Sequence, residues 1–381
     1  MITTDSHYAE ITRREVLIKK PFVSLPSNKE LVEGVFCEIL LPNGKTTDGK
    51  GAVTYLRQGN GKDLLILFNG GGMAWDKKSC AYPTTFSSLF GQGIRLYIPN
   101  MNEIAVFTTF LAPTDMGILD IDKRKSPFFD WNTALFQYAS ADFHVGNGNT
   151  DYIDISGKKR KIYFDGYEIF KAALQETVKR FPSPERLLIV GGSAGAFGVA
   201  ALAGEIIDKY SSCKNITVLC DSAVDFRDNW KYITKDFWCA PKHICESVHT
   251  KDIAGDWLCA LSKKYGERVK ILYACSVRDA AFAMFRRYER DGSLEVTEKE
   301  CDIVNEWLHK QYVRLAQECP NIHYFYNNYA MPDGSAGTVH CTVIGPHFYQ
   351  YKTDGVSVFD WAWDAVGGKL HNIGVDLLGK H

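Results

Sequence analysis

The sequence has almost no net charge and no long run of charge of either sign. Its 381 residues include 44 basic and 45 acidic side chains, which gives a formal net charge of −1 at pH 7. Proteins that hold nucleic acid or an anionic membrane surface through charge carry a basic patch or an excess of Lys and Arg. The charge balance therefore argues against nucleic acid as a partner and against a basic membrane-binding surface.

Long apolar runs, internal repeats and low-complexity linkers are missing as well. The longest apolar stretches fall far short of the roughly 20 residues that cross a bilayer, so we predict no membrane span and a soluble protein. The N-terminal segment 1–22 alternates charged and apolar residues and lacks the apolar region of a signal peptide. The chain is expected either to stay inside the cell or to begin after a leader that has been removed.

Cysteine is present, but not in the pattern of a disulfide framework. The eleven cysteines are an odd number and are scattered, and several lie inside apolar runs, as Cys37, Cys220 and Cys275 do. Cysteines of this kind usually act as small buried apolar side chains in a reducing compartment. We therefore expect a cytoplasmic location, with secretion as the alternative if a leader was removed.

Short, continuous apolar runs recur along the chain and alternate with helical patterns. Two runs at 32–42 and 51–59 flank a polar turn, which predicts a hairpin. Further runs occur at 63–72, 94–101, 186–193, 216–222, 269–276 and 322–328, and amphipathic helices are predicted at 167–181, 196–210 and 301–318. Runs that are apolar on both faces suit the strands of a buried parallel sheet. The alternation predicts an α/β fold with a doubly wound, mostly parallel sheet.

No shift in composition divides the chain, so we predict a single domain over residues 1–381, with 1–30 as an irregular lead-in. The polar, glycine-rich segment 110–160 fits neither a strand nor a helix pattern and is expected to be inserted above the sheet. We interpret 103–160 and 226–262 as insertions that form a lid over the active site. Because ligands bind at the carboxyl ends of parallel strands, the residues that directly follow each apolar run are the functional candidates.

The strongest chemical signal is the segment 191–195, whose sequence Gly-Gly-Ser-Ala-Gly matches G-x-S-x-G. An apolar strand enters it and a helix of small residues leaves it, as in a nucleophile elbow, where a strained turn needs small neighbours around the serine. Ser193 is then the candidate nucleophile, and the Ala194 N–H is a candidate donor to an oxyanion. The alternative is a glycine-rich turn in which the serine caps the helix or the turn binds phosphate, although the usual phosphate-loop patterns are missing.

The candidate base comes later in the chain, because elbow-type hydrolases follow the order Ser, then Asp or Glu, then His. His340 lies in a polar loop after the run 322–328, which is where such a fold has its base. His347, seven residues on, is its main competitor. His144, in an earlier loop, is predicted to hydrogen-bond to the backbone rather than to take part in catalysis.

The candidate acid is Asp279, which follows the run 269–276. It would hold the imidazole of the base in one tautomer and stabilise the imidazolium. Asp221 and Asp225 follow the preceding run and stay open as alternatives. An aspartate in such a loop more commonly caps a helix, and the helix after Asp279 allows that interpretation too.

Three glycines, Gly70 to Gly72, end the run 63–72. Glycines at this position let the backbone approach a substrate carbonyl and direct N–H groups at it, as in the HGGG loop of esterases. Gly71 and Gly72 are therefore further oxyanion candidates. A simple tight turn is the alternative interpretation.

Several ordered blocks of the sequence resemble the pectin acetylesterase/Notum family, in particular its bacterial branch. The blocks are FNGGGMAW (68–75), PFFDWN (127–132), DFHVGN (142–147), YFDGYEIFKAAL (163–174), GGSAGAFG (191–198), CDSAVDF (220–226) and HCTVIGPHFYQYKTDGVSVFDW (340–361). The resemblance implies a serine carboxylester hydrolase with an α/β-hydrolase-like fold and no cofactor. A metal site is not expected either, because the spacing of Cys239, His243, Cys245 and His249 matches no zinc pattern. The resemblance implies Ser193 as nucleophile, His340 as base and Asp279 as acid. It also implies Gly71, Gly72 and Ala194 as oxyanion donors.

One departure from the family limits what the resemblance implies. Secreted relatives usually carry a cysteine in the glycine loop, bonded to a later one, whereas this chain has Ala74 there and leaves Cys80 without that partner. The extracellular substrates of the family are therefore not transferred. We expect a small-molecule or carbohydrate ester as substrate, with an O-acetyl or other short acyl group on a carbohydrate first. The alternatives are a lipid or protein O-deacylase with a longer acyl pocket and a binding protein that has lost turnover.

Overall fold

A nine-stranded sheet lies at the centre of the computed structural model, which describes residues 22–25, 29–81, 117–120, 126–154, 156–345 and 347–379. Its strands are β1 (Phe22–Leu25), β2 (Phe36–Lys45), β3 (Gly51–Arg57), β4 (Leu64–Phe68), β5 (Asn132–Phe136), β8 (Arg186–Gly192), β9 (Asn215–Asp221), β10 (Val269–Ser276) and β11 (Ile322–Asn327). Two further pairs lie outside it, β6 (Gly148–Ile153) with β7 (Lys159–Phe164) and β12 (Lys352–Thr353) with β13 (Val356–Ser357).

The strand order across the sheet is β1-β2-β3-β5-β4-β8-β9-β10-β11. Only the pairs β2/β3 and β3/β5 are antiparallel among these neighbours, so eight of the nine described strands run in one direction. The prediction of a mostly parallel α/β sheet is confirmed. The loops that follow β4, β8, β9, β10 and β11 consequently meet at the same edge.

Helices connect these strands, and the three that the sequence pattern predicts are all present. The helices are α1 (Lys77–Ala81), α2 (Gly166–Arg180), α3 (Ala194–Lys209), α4 (Trp230–Tyr232), α5 (Lys242–Glu246), α6 (Ile253–Tyr265), α7 (Ala280–Asp291), α8 (Glu298–Glu318), α9 (His347–Gln350) and α10 (Val358–Val366). Helix α2 ends just before Phe181-Pro182, because the residue that precedes a proline is disfavoured in helical conformation. No helix in the described ranges is long and apolar enough to cross a membrane.

Strand β4 illustrates why the apolar runs are continuous rather than alternating. All five of its residues are buried. Ile66 and Phe68 belong to one hydrophobic core, together with residues of α2 and α3, while Leu65 and Leu67 belong to a second core, together with residues of α10. Since successive side chains of a strand point to opposite faces, both faces of the sheet are covered.

The structure corrects the sequence prediction in two places. Residues 22–25 of the expected irregular lead-in form β1, which pairs in parallel with β2. Residues 132–136 form β5 in the middle of the sheet, so segment 110–160 is not inserted above the sheet throughout its length. The apolar pattern does not reveal β5, because the strand begins with polar residues. Asn132 can be buried there since its side chain donates to the carbonyls of Gly61 and Asp63. The run 94–101 lies outside the described residues.

Candidate active site

Ser193 lies in the turn between β8 and α3, in a backbone conformation that residues other than glycine rarely adopt. Its φ is 55° and its ψ is −128°, and its side chain makes no capping hydrogen bond to the helix. Strain of this kind persists where the surrounding structure enforces it, and it clusters at functional sites. The turn is enforced by close packing, since a Cβ on Gly195 would lie 2.1 Å from the carbonyl oxygen of Phe68. The helix-cap interpretation of Ser193 is therefore wrong, because its hydroxyl accepts none of the helix N–H groups.

The glycine loop after β4 packs directly against this turn. A Cβ on Gly70 would lie 2.4 Å from the carbonyl oxygen of Gly192 and 2.9 Å from Cβ of Ser193, so only glycine fits. Gly72 follows with a φ of 80°, and its carbonyl accepts a hydrogen bond from the Tyr138 hydroxyl at 2.6 Å. The loop and the turn are thus held as one unit.

His144 holds the beginning of the glycine loop. It is buried, and its Nε2 lies 2.8 Å from the carbonyl oxygen of Asn69. Burial lowers the pKa of His144 to about 4, so its imidazole is neutral at neutral pH and Nε2–H is the donor. The prediction of a loop histidine bonded to the backbone is confirmed.

His340 and Asp279 are joined by a hydrogen bond of 2.7 Å from Nδ1 to Oδ2. The other carboxylate oxygen of Asp279 accepts the backbone N–H groups of Ala281 and Phe282 at 3.0 and 3.2 Å, which caps α7. Burial disfavours the imidazolium of His340, but the neighbouring Asp279 carboxylate outweighs it, so the pKa of His340 lies well above its usual value. Both interpretations of Asp279, helix cap and partner of the histidine, are therefore correct.

Backbone pairing explains why residues 61 positions apart meet. Thr338 bonds to both chain neighbours of Asp279, since its N–H donates to the carbonyl of Arg278 at 3.0 Å and its carbonyl accepts the N–H of Ala280 at 3.0 Å. Asp279 forms a parallel β-bridge with Thr338, two residues before the histidine. This short pairing brings His340 within hydrogen-bonding distance of Asp279.

The other candidates make different contacts. Asp221, at the end of β9, accepts the N–H groups of Thr342 and Val343 at 2.5 and 2.9 Å and thereby anchors the loop that follows His340. Asp225 pairs with a buried arginine, described below. The ring of His347 lies against Tyr351, with the centroids 4.5 Å apart.

Ser193 opens into a mostly apolar cleft. Gly72, Ala194 and Ser193 line it together with an apolar wall of Met73, Trp75, Phe143, Phe197, Phe282 and Phe285. Phe282 connects the two halves of the site, because its ring also lies edge-on to the His340 ring at 5.2 Å. No hydrogen bond joins Ser193 to His340 in the described part of the chain, so that link of the predicted triad stays a prediction.

Comparisons with known proteins show the family of this chain. The sequence model of the family described as Pectinacetylesterase matches residues 38–239, more than half of the chain. The chain belongs to the pectinacetylesterase family. Its membership makes it a carboxylic ester hydrolase, and the resemblance read from the sequence is confirmed.

A solved structure of the Wnt deacylase Notum from Drosophila is similar to this esterase in fold. The TM-score is 0.58 at 18% sequence identity, over 88% of this chain and 95% of that chain. At this identity the likeness supports the fold, an α/β-hydrolase-like one. No curated protein sequence matches the chain.

A charged group that the sequence pattern does not predict lies in the cleft wall of this esterase. Arg227 is buried, and it donates from Nε to Asp225 at 2.9 Å and from Nη1 to Glu289 at 2.5 Å. Its guanidinium lies over the ring of Trp75, 4.7 Å from the centroid. The sequence feature that could have indicated this group is a pair of charged residues, 225 and 227, just after an apolar run. Both residues line the cleft.

Proposed function

We propose that the chain hydrolyses carboxylic esters with a Ser193–His340–Asp279 triad. The observation that carries the proposal is the His340–Asp279 hydrogen bond, formed at the same sheet edge as a serine whose strained turn leaves its hydroxyl out of the helix cap. A serine in this position needs a base to become a nucleophile, and the base needs a group that orients it. The chain provides both in the order that elbow-type hydrolases use.

In this mechanism Nε2 of His340 takes the proton of Ser193 while the serine oxygen attacks the acyl carbon. The backbone N–H groups of Gly71, Gly72 and Ala194 stabilise the oxyanion, each with a contribution of about 3 kcal/mol. His340 then gives its proton to the leaving alcohol, and an acyl-enzyme forms on Ser193. Water activated by His340 breaks this ester and releases the acid.

The acyl group that the cleft suits best is short. The free volume of the cleft is about 20 Å³. This is little free space, which favours a group of acetyl size over a long acyl chain. Phe143 and Phe197 stack face to face at 4.1 Å and fill the room beside Ser193.

A carbohydrate is the alcohol that we propose. Asp225 and Arg227 bring a carboxylate and a guanidinium to an otherwise apolar cleft. Sugar hydroxyls both donate and accept hydrogen bonds, so a paired acceptor and donor in the wall can orient them. The substrate we propose is therefore an O-acetyl or other short acyl ester of a carbohydrate.

A longer-chain lipid or protein deacylase is the second candidate. The apolar wall favours it, since its four phenylalanines, Met73 and Trp75 would bury an acyl chain. This candidate requires a wall ring to move, with Phe285 the least buried of the four phenylalanines.

We also propose a single catalytic domain in which both predicted insertions border the cleft, because Phe143 lies in 103–160 and Arg227 in 226–262. Residues 103–116, 121–125 and 155 of the first insertion lie outside the described residues. A cytoplasmic location is proposed from the cysteines, since all eleven are free thiols and most are buried.

The test is hydrolysis of 4-nitrophenyl esters from acetate to palmitate, with wild type compared to Ser193→Ala. We expect a serine-dependent rate that is highest for the shortest esters. A maximum at long chains favours the second candidate instead. An equal rate for both proteins at every chain length would refute the serine mechanism, and acetylated oligosaccharides assayed in parallel test the choice of alcohol.

A further inference from the structure

Two buried cysteines far apart in the chain lie with their sulfur atoms in contact. Cys259 is in α6, and Cys319 directly follows α8. Their Sγ atoms are 2.9 Å apart. Non-bonded heavy atoms such as carbon pack at about 3.5–4.0 Å, and a disulfide bond measures about 2.05 Å. The two thiols therefore need to approach by less than an ångström to bond.

We propose that Cys259 and Cys319 are a disulfide-forming pair, which bonds when the chain folds in an oxidising thiol–disulfide buffer and stays as two thiols in a reducing one. The bond would join two helices through residues 60 positions apart. It is independent of the proposed function and of the catalytic residues. Under the proposed cytoplasmic location the pair would be reduced, so its state reports the redox environment of the protein.

The backbone around the pair is already fixed on both sides. The N–H of Cys319 donates to the carbonyl of Leu315 at 2.8 Å. Asn321 donates from its side chain to the carbonyl of Gly266 at 2.9 Å, which ties the segment after Cys319 to the end of α6. Lys263 and Glu318, the neighbours on the two helices, form an ion pair at 3.4 Å. These contacts hold the two sulfur atoms together without the bond.

The electrostatic surroundings favour the thiolate of one member of the pair, Cys319, while the same contact and burial raise the pKa of Cys259. The pKa of Cys319 is lowered because the Cys259 thiol stabilises its thiolate by a hydrogen bond, and this outweighs burial. The thiolate is the form that attacks a disulfide. Cys213, which is also buried, differs from this pair because its thiol donates to the carbonyls of Glu185 and Asn215.

The chemistry balances with glutathione disulfide as the oxidant. The Cys319 thiolate attacks one sulfur of glutathione disulfide, and one glutathione thiolate leaves. The Cys259 thiolate then attacks the Cys319 sulfur of the mixed disulfide, and the second glutathione leaves. The two cysteines lose two electrons and two protons, and glutathione disulfide is reduced to two glutathione molecules.

The bond would join two helices that each contact a segment next to a candidate catalytic residue. Helix α6 contacts α3, which begins after Ser193, through the hydrogen bond of Tyr265 to the carbonyl of Gly204 at 2.7 Å. Helix α8 contacts the start of α7 through the ion pair of Arg278 with Asp302 at 2.9 Å. We expect a higher unfolding temperature in the oxidised form, because closing a long loop lowers the entropy of the unfolded chain.

To test this, the full chain is refolded from denaturant, once with reductant and once in a glutathione redox buffer. The native fraction is isolated by size-exclusion chromatography, free thiols are alkylated after denaturation, and tryptic peptides are mapped by mass spectrometry. Each protein's unfolding temperature is compared between its own two redox states, so that a variant's intrinsic stability cancels. The variants are Cys259→Ser and Cys319→Ser, with Cys213→Ser as the matched control.

We expect a linked peptide containing Cys259 and Cys319 from the glutathione buffer alone. We also expect the oxidised forms of wild type and of Cys213→Ser to unfold several degrees higher than their reduced forms. The unfolding temperatures of Cys259→Ser and Cys319→Ser should be the same in both redox states. Native protein from the glutathione buffer in which both cysteines are alkylated would overturn the proposal. So would a redox-dependent gain that survives in Cys259→Ser.

Discussion

His340 donates a hydrogen bond to Asp279 at 2.7 Å, while the same carboxylate caps helix α7 with its other oxygen. The cap fixes the rotamer of the acid, and the acid fixes the tautomer of the base. Because both bonds use one side chain, the orientation of the imidazole is coupled to the start of a helix whose first turn is buried. In the proposed mechanism, these bonds orient the base before any substrate binds.

The two roles of Asp279 can be separated by substitution. Asn is also a good N-cap residue, so Asp279→Asn should keep the helix and leave the unfolding temperature within a few degrees of wild type. It should still lower kcat by about 10⁴, because a neutral amide favours the wrong tautomer of His340. Ester hydrolysis and thermal unfolding of the same preparation check both outcomes, and unchanged kcat in a folded Asp279→Asn protein would remove Asp279 from the mechanism.

The rate should depend on pH through His340. The neighbouring carboxylate raises the pKa of His340 well above its usual value, and only the neutral imidazole accepts the serine proton. Activity should therefore be low below this pKa and rise as pH passes through it, with an optimum on the alkaline side. In Asp279→Asn the residual rate should rise at a lower pH, because the carboxylate that stabilises the imidazolium is gone. A pH profile of kcat/KM for both proteins tests this, and an identical acid limb in the two would contradict it.

Asp221 should act as a positioning residue for the loop that carries the base. It accepts two backbone N–H groups just after His340, so Asp221→Ala leaves both without a partner. Hydrogen bonds to a charged group contribute about 1.5–3 kcal/mol each, which predicts a clear loss of stability. We expect kcat to fall at least tenfold and KM to change little. Thr342→Val keeps the backbone bond and is the control; equal losses in both variants would argue against this role.

The close approach of Gly195 to β4 should make it irreplaceable. A Cβ at this position would lie 2.1 Å from the backbone oxygen of Phe68, so Gly195→Ala must displace the turn that holds Ser193. We expect loss of detectable esterase activity or of folding. Gly204→Ala in the same helix is the matched control, since its Cβ would meet no heavy atom closer than 3.4 Å. It should keep full activity and gain about 0.5–1 kcal/mol of stability.

Chain-length preference should respond to Phe285, the half-buried ring of the cleft wall. Phe285→Ala removes a half-buried ring from the cleft wall, so longer acyl esters should fit. We expect the ratio of butyrate or octanoate hydrolysis to acetate hydrolysis to increase at least tenfold, while Ser193 dependence is kept. Phe285→Leu, which conserves more volume, should change this ratio less. A preference that does not change in Phe285→Ala would place the acyl group elsewhere.

The features that could be predicted from the sequence are those set by local pattern. Strand β10 matches the predicted run 269–276, and the elbow around Ser193 follows from a strand, small residues and a helix in succession. The order Ser, Asp, His then selects few candidates downstream. Covalent order and periodicity contain this information, so it does not depend on long-range packing.

What the sequence could not provide depends on contacts between distant segments. The choice of Asp279 over Asp221 rests on a β-bridge to Thr338, and the role of Arg227 rests on its contacts with Trp75 and Glu289. Strand β5 escapes prediction because its polar residues are satisfied by partners some 70 positions away. In each case a polar side chain in a loop or strand gains its role only after the chain has folded.

The most direct test of the account is to trap the acyl-enzyme. The protein is mixed with 4-nitrophenyl acetate, quenched in acid, digested and analysed by mass spectrometry, and a parallel sample is labelled with a fluorophosphonate. In wild type we predict that Ser193 carries the acetyl group in one sample and the phosphonate in the other. Ser193→Ala should carry neither group at this position, and His340→Ala should be modified more slowly than wild type. A folded wild-type protein that turns over the ester while Ser193 stays unmodified by both reagents would contradict the central claim.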